Sequence, residues 1–185
     1  MISKDQALEL LHSQMQSANL RKHCYSVGAV MRVLAKHFGE DENLWEVAGI
    51  VHDLDYEKYP ETHPLEGLKI LEKEGFPKEI IDAVAAHGWG YHEGLPKPNN
   101  KMEWSLYSCD ELTGLIVACA LVRPDKKLES VDVASIQKKW GQKSFAAGVN
   151  RSQIENCEKE LGIPLPEFIG ISLKAMQRIS KELGL

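Results

Sequence analysis

Apolar residues recur at helical spacing along almost the whole chain, and this periodicity is the feature that most restricts its fold. One segment shows the pattern clearly, with four apolar residues at i, i+3, i+4 and i+7: Leu44, Val47, Ala48 and Val51. No segment has a convincing strand pattern, and the sequence contains no internal repeat or low-complexity stretch. The periodicity therefore predicts an all-α fold.

Capping residues, glycines and prolines divide the helical pattern into segments. Ser3 resembles the start of a capping box, Asn19 is expected to cap a second helix, and Gly39 is expected to end it. Asp41 is expected to cap the next helix. Later helices are predicted over about 64–75, 77–87, 102–122, 132–140, 144–161 and 166–183, with a long loop over 88–101.

The chain has 185 residues, which is the size of one ordinary domain and is enough to bury a core without a disulfide or a structural metal. We expect a single domain over 1–185, in which a compact helical bundle of about 20–122 carries a C-terminal helical extension of about 125–185. The four cysteines show no paired spacing, which favours reduced thiols and a cytoplasmic protein.

The formal charge of -5 argues against duplex nucleic acid or an anionic membrane as the main partner. The longest nearly uncharged apolar run, over 112–122, is too short to span a bilayer. The charge is unevenly distributed, because residues 40–57 hold seven Asp and Glu side chains and no Lys or Arg, whereas the rest of the chain carries a net charge of +2. The acidic segment is therefore where a bound cation is expected.

Three positions on separate predicted helices combine inward placement with metal-ligating chemistry. His23 continues a buried stripe, and the adjacent pair His52-Asp53 ends the next helix, where an imidazole and a carboxylate can bind one divalent cation. Asp110 interrupts the apolar run of the longest helix, and a buried carboxylate is costly unless it is paired or bound to a metal. Glu111 is an alternative inward acid, but it lies about 100° round the helix.

Each of these residues has an ordinary explanation when it is taken alone. A single histidine on an apolar helix face is more often a hydrogen-bonded core residue than a ligand, and a single aspartate often pairs with a buried basic residue. Their joint occurrence on the inward faces of three helices, however, indicates a metal site.

In order along the chain, His23, the His52-Asp53 pair and Asp110 resemble the ligand pattern of the HD-domain superfamily of metal-dependent phosphohydrolases. The resemblance covers roughly 20–122. It implies a helical bundle, an HD-type domain, in which these four residues bind a divalent metal such as Fe, Mn, Zn, Ni, Co or Mg.

The resemblance also implies candidates for a second metal. His63 stands in a His-Pro-x-x-Gly segment that is similar to the one in two-metal members, and His87 looks like the next histidine of that pattern. Both have ordinary alternatives, because His63 can cap a helix and His87 lies favourably near a helix C-terminus. One or two ions are therefore expected. His92 stands on the loop over 88–101, which is expected to cover the site or to lie on the surface.

The segment after the His-Asp pair departs from the family pattern. Many two-metal members continue with a glycine and a lysine that can contact phosphate, whereas this chain has Asp55 and Tyr56 there. A replacement cation is predicted in a C-terminal basic cluster around Trp140, which consists of Lys138, Lys139, Lys143 and Arg151. The same run also fits a solvated surface, and Arg21 and Lys22 are comparable candidates.

The resemblance implies hydrolysis of a phosphomonoester or phosphodiester, with nucleotides among the candidate substrates, by a metal-activated water. Asp53 would be both a ligand and the group that orients the water, while His63 or His87 would hold a second metal or assist proton transfer. The expected partner is a small phosphorylated substrate. Two alternatives stay open: a di-iron oxygenase of the same superfamily, and a non-catalytic metal-bound sensor.

Overall fold

The computed structural model describes residues 2–185, and within that range it contains α-helices and no β-strand. The helices are α1 (Lys4–Gln14), α2 (Ala18–Phe38), α3 (Glu42–Val51), α4 (Leu65–Lys73), α5 (Lys78–His87), α6 (Lys101–Leu121), α7 (Val133–Trp140), α8 (Arg151–Leu161), α9 (Leu165–Arg178) and α10 (Ser180–Leu183). A short 3₁₀ turn covers Leu128–Ser130. The prediction of an all-α fold is confirmed.

Three of the predicted capping interactions are present at the first helices. The Ser3 hydroxyl accepts a hydrogen bond from the backbone N–H of Gln6 at 3.2 Å, while the Gln6 side chain accepts one from the Ser3 N–H at 2.9 Å. Gly39 ends α2 in the left-handed region with φ 73°. The Asp41 carboxylate accepts the free N–H groups at the start of α3.

The prediction that Asn19 caps α2 is wrong. The cap is Ser17, whose hydroxyl accepts a backbone N–H three residues later at 3.4 Å, so Asn19 lies inside the first turn. Serine and asparagine are about equally good N-caps, so the local sequence does not choose between them. The choice depends on a distant residue, because the Glu57 carboxylate accepts the N–H of Ser17 at 3.1 Å and fixes the chain there.

Two C-terminal helices differ from their predicted bounds. The helix predicted over 144–161 begins at Arg151, because the guanidinium of Arg151 donates hydrogen bonds to backbone carbonyls in the preceding turns and holds them out of the helix. The helix predicted over 166–183 is interrupted at Ile179, where φ is -111° and ψ is 18°. At this break the Ser180 hydroxyl hydrogen-bonds to a carboxylate of the 3₁₀ turn.

The contacts of α2 and α6 build the core that positions the functional residues. Helix α2 crosses α3 so closely that a Cβ on Gly49 would lie 2.7 Å from the Cα of Gly28. Helix α6 is buried along most of its length and contacts α2, α5 and α8. Helix α9 packs on both α2 and α6, so the C-terminal segment shares this core.

All four cysteines are buried and unpaired. Among the described residues, no helix combines the length and the apolar character needed to cross a membrane.

Candidate metal centre

Six side chains that the sequence singles out as ligands meet inside the bundle. They come from α2, from the residues that follow α3, from the segment before α4, from the end of α5 and from the middle of α6. In chain order they are His23, His52, Asp53, His63, His87 and Asp110. Residues that continue an apolar stripe are carried inward with it, which is why these polar groups converge.

The Asp53 carboxylate lies at the centre of the cluster. Its Oδ1 is 3.2 Å from His63 Nε2, 3.4 Å from His52 Nε2 and 3.5 Å from His87 Nε2, and its Oδ2 is 3.6 Å from His23 Nε2. The possible ligand atoms form two groups, each within 4.8 Å, and Asp53 belongs to both. One carboxylate shared by two histidine pairs is an arrangement that can bridge two cations.

Asp110 is the acid of α6 that faces this cluster. Its Oδ1 lies 2.9 Å from His23 Nε2 and 3.5 Å from His52 Nε2, so it adds a second carboxylate beside that histidine pair. Glu111 is directed to a different neighbour, because its carboxylate accepts the backbone N–H of Asn150 at 3.0 Å. The 100° step between successive helix residues separates the two acids.

The tautomers of two histidines direct lone pairs into the cluster. His52 Nδ1 lies 2.8 Å from the carbonyl oxygen of Gly49, and His87 Nδ1 is hydrogen-bonded to the carbonyl oxygen of Val84. Because a carbonyl only accepts, both Nδ1 atoms carry a proton, and in each ring Nε2 is the nitrogen left to bind a metal ion.

The lone pair of His52 provides a test of whether a metal fits. Its Nε2 is buried and has no hydrogen-bond partner among residues 2–185, which costs free energy unless a cation occupies that position. The neighbouring donors are imidazole nitrogens and carboxylate oxygens, the set that suits divalent transition metals. The residues present therefore fit a divalent metal ion.

Asp55 holds His63 from outside the cluster. The Asp55 carboxylate is buried, and its two oxygens accept hydrogen bonds from His63 Nδ1 and from the Gly67 N–H, both at 2.7 Å. This contact directs the other ring nitrogen of His63 toward Asp53. A Cβ on Gly67 would lie 3.1 Å from the carboxylate, so the glycine leaves room for it.

The carboxylates raise the proton affinity of two histidines when no metal is bound. Burial alone lowers the pKa of His23, but the hydrogen bond to Asp110 and the charges of Asp110 and Asp53 raise it to about 9. Burial also opposes the charged form of His63, yet hydrogen bonds to Asp53 and Asp55 raise its pKa to about 10. In the metal-free protein both imidazoles therefore hold a proton at neutral pH.

Metal binding should consequently release protons from His23 and His63. Since the pKa values are about 9 and about 10 and each histidine belongs to a different group of ligand atoms, the apparent affinity for each ion should rise with pH by up to about one log unit per pH unit near neutrality, and level off above the pKa of its histidine. Calorimetry in buffers with different ionisation enthalpies counts the released protons. An affinity that is constant between about pH 7 and pH 9 would contradict this expectation.

The cluster lines an open cavity of about 480 Å³. Among the described residues, no Lys or Arg lines this cavity, whereas four carboxylates do: Asp53, Glu61, Asp110 and Glu111. Two partly exposed tyrosines, Tyr56 and Tyr91, also border it, and the ring of Tyr56 packs edge-on against His63. His92 joins them from the long loop, as one of the sequence alternatives expected. The cavity is therefore acidic and partly aromatic.

The predicted C-terminal basic cluster does not line this cavity. None of its four members, Lys138, Lys139, Lys143 and Arg151, borders it, and Val149 is the residue of the intervening turns that does. The Arg151 guanidinium is occupied by backbone carbonyls and lies 5.9 Å from the ring of Trp140. The ammonium of Lys139 lies 4.8 Å from the ring of Phe145. The geometry therefore gives no support to the predicted anion contact.

Only two of the seven acids in the segment over 40–57 contribute to the candidate metal centre. Asp53 belongs to the cluster and Asp55 supports it. Among the other five acids, Asp41 caps α3, Glu46 forms ion pairs with basic residues of α1 and α2, and Glu57 accepts backbone N–H groups before α2. The surplus of acids in this segment therefore reflects capping and ion pairing as well as the site.

Three residues at the site were missed or misjudged at the level of sequence. The sequence presents Asp55 as a departure from the lysine-containing pattern and as one acid of the segment over 40–57, but it does not show that Asp55 orients His63. Tyr91 and Glu111 approach each other across the cavity wall, with the Tyr91 hydroxyl 3.5 Å from the Glu111 carboxylate. A tyrosine inside a glycine-rich loop and an acid next to a candidate ligand were the available signals.

The fold and the site together describe a helical domain with a candidate metal centre, in which histidines and aspartates cluster around one shared carboxylate. The family model described as HD domain matches residues 20–121. The chain belongs to the HD-domain family, and the family assignment made from the ordered histidines and aspartates is confirmed.

Several curated relatives are named ribonuclease Y. The protein from Oleidesulfovibrio alaskensis is 30% identical over 102 residues, which cover 53% of this chain and 18% of the relative. The protein from Acholeplasma laidlawii is 30% identical over 118 residues, which cover 62% of this chain and 20% of the relative. The protein from Nitratidesulfovibrio vulgaris is 32% identical over 102 residues, which cover 53% of this chain and 18% of the relative. The chain thus spans at most about a fifth of the length of these relatives.

Proposed function

We propose that this chain is a metal-dependent phosphohydrolase that cleaves a phosphodiester bond in a small phosphorylated substrate. The observation that carries the proposal is the position of Asp53, which belongs to both groups of ligand atoms and borders an open cavity. A carboxylate in this position can hold a water molecule beside a phosphorus atom bound in the cavity. The relatives support the choice of bond, because they are named as ribonucleases and a ribonuclease cleaves phosphodiesters.

Divalent metal bound here would supply a water of lowered pKa and a Lewis acid for a phosphoryl oxygen. The residues that would hold one ion are His23, His52, Asp53 and Asp110, and those that would hold a second are Asp53, His63 and His87. Asp53 orients the water, and Asp55 keeps the His63 ring in place. Where one ion is bound, His63 Nε2, which lies 3.2 Å from Asp53, is placed to assist proton transfer.

The charges of the cavity favour a phosphodiester over a phosphomonoester. A monoester carries close to two negative charges at neutral pH, whereas a diester carries one. The cavity has four carboxylates on its walls and no lining Lys or Arg among the described residues. The metal ions alone would have to neutralise the phosphate, and they would neutralise the single charge of a diester more completely than the two charges of a monoester.

The proposal predicts hydrolysis of bis(p-nitrophenyl) phosphate by protein loaded with each of Fe, Mn, Zn, Ni, Co or Mg in turn, with slower hydrolysis of p-nitrophenyl phosphate. Chelation should abolish p-nitrophenol release and readdition of the metal should restore it, because the metal supplies the activated water. Absorbance of p-nitrophenol measures both reactions. Chelator-treated protein refilled with Ca²⁺ serves as the control for simple ion binding.

Two results would overturn the proposal. Metal-loaded protein that hydrolyses neither ester nor any wider set of phosphodiesters would assign the site to a non-catalytic sensor. Oxygen consumption by the iron form, without any phosphoester hydrolysis by any metal form, would assign it to an oxygenase.

A further inference from the structure

We propose that the substrate is an extended phosphodiester that carries a second anionic group, and that its far arm lies in a groove beside the metal cavity with this anion on Lys22. The inference rests on the proposed phosphohydrolase function and names its substrate class. It goes beyond the metal cluster, because the groove is built from residues that take no part in the two ligand groups apart from His23.

The groove lies between α2, α6 and the C-terminal residues and has a volume of about 470 Å³. It borders the metal cavity directly, since His23 and Gly114 line both spaces. The His23 ring forms part of the boundary: its Nε2 lies 2.9 Å from Asp110 on the metal side, and its Nδ1 lies 3.3 Å from the hydroxyl of Thr113, which lines the groove. One ligand that passes Gly114 can therefore occupy both spaces.

Gly114 has no side chain to separate the metal cavity from the groove. It lies in the interior of α6, where a glycine is less favourable than an alanine. The packing of the chain does not require a glycine, because a Cβ there would meet only Val149 Cγ2 at 3.8 Å, an ordinary contact. This differs from Gly49, whose Cβ would collide with the backbone of α2. A larger side chain at 114 would project into the space that a bound molecule needs.

The charged side chains that line the two spaces differ in sign. The metal cavity has carboxylates and no lining Lys or Arg, whereas the groove has Lys22 and no lining Asp or Glu among the described residues. Lys22 is half-buried, and no ion pair formed by it occurs within residues 2–185. A half-buried ammonium without a carboxylate partner is a suitable contact for an anionic group of a ligand.

The other residues that line the groove indicate the chemistry of the substrate arm between its two anionic groups. Val117, Leu121 and Leu183 give the groove an apolar wall, and Leu121 is 50% exposed. Asn19 and Ser26 add polar groups on the side of α2. An organic arm with an apolar face, between a phosphodiester at the metals and an anion at Lys22, matches this order of groups.

Thymidine dinucleotides with and without a terminal phosphate test this arrangement, because they differ only in the second anion. Calorimetry with metal-loaded protein measures their binding and chromatography measures their cleavage, with the terminal phosphate placed at either end. We expect a terminal phosphate to tighten binding by about tenfold or more in the wild type. Lys22→Gln should remove this difference, whereas Lys36→Gln, an exposed lysine of the same helix, should keep it.

The boundary residue is tested with Gly114→Leu, which should weaken the binding of both dinucleotides by about tenfold or more by closing the passage. Thermal unfolding checks that this variant folds. If it does not, Gly114→Ala replaces it, since its Cβ makes an ordinary contact, and a smaller loss of affinity is expected. Gly170→Ala in α9, where a Cβ also makes an ordinary contact, is the matched control and should bind like the wild type.

The outcomes separate the groove from the catalytic proposal. Equal binding of the two dinucleotides by the wild type, or a difference that persists in Lys22→Gln, would overturn the groove, even if both dinucleotides are cleaved. Preferential binding that depends on Lys22 and Gly114, without cleavage by any metal form, would support the groove as a ligand site and overturn the phosphohydrolase.

Discussion

Replacing Asp53 with asparagine should abolish phosphodiester hydrolysis and remove most of the bound metal. The carboxylate belongs to both groups of ligand atoms, so an amide of the same shape weakens both at once. Because metal ions supply several kcal/mol of transition-state stabilisation, a fall in kcat/KM of at least about a thousandfold is expected. Elemental analysis and the p-nitrophenol assay measure the two effects.

The metal-free form of the same variant gives an independent readout. Asp53 contributes to the raised pKa of both His23 and His63, so Asp53→Asn should lower both pKa values toward their ordinary range. Metal-free wild type should therefore hold more protons at neutral pH, which an NMR titration of the imidazoles detects. Glu72→Gln, an exposed acid of α4, is the control for charge. Full metal content together with full activity in Asp53→Asn would contradict the proposed centre.

The positions of the four primary candidates were accessible from sequence because they depend on local periodicity. His23 continues the buried stripe of α2, the His52-Asp53 pair follows the buried face of α3, and Asp110 interrupts the buried α6. A helix of 3.6 residues per turn fixes which side chains face inward, whatever the rest of the chain does. The same reasoning selected Asp110 over Glu111, and the two carboxylates do face different neighbours.

The features that were missed depend on contacts between distant segments. Ser17 rather than Asn19 caps α2 because a carboxylate about 40 residues further along holds its N–H. Arg151 was assigned to a substrate-facing cluster, yet its guanidinium stabilises the turns that precede it. A residue pattern shows that such groups are charged, but it does not show which backbone groups lack partners after folding.

Replacing Asp55 with asparagine should weaken the second ion selectively, while leaving the first nearly unchanged. The two Asp55 oxygens accept hydrogen bonds from His63 Nδ1 and the Gly67 N–H, whereas an asparagine has a single acceptor oxygen. One of those donors then loses its partner, and His63 is no longer held toward Asp53. Loss of such an outer hydrogen bond reduces metal affinity by about 10- to 100-fold. Calorimetric titration of the metal-free protein should show this loss at one of two sites.

Two further variants distinguish this positioning role from a general loss of charge. Asp41→Asn neutralises another acid of the segment over 40–57, and because asparagine is an equally good N-cap, both metal affinities should be preserved. Gly67→Ala keeps every charge but places a Cβ 3.1 Å from the Asp55 carboxylate, so it should weaken the same site as Asp55→Asn. Equal weakening of both sites in Asp55→Asn, or none at either, would show that Asp55 does not orient His63 for metal. The selective loss expected here follows from geometry, since the Asp55 carboxylate hydrogen-bonds to His63 and to no other ligand of the cluster.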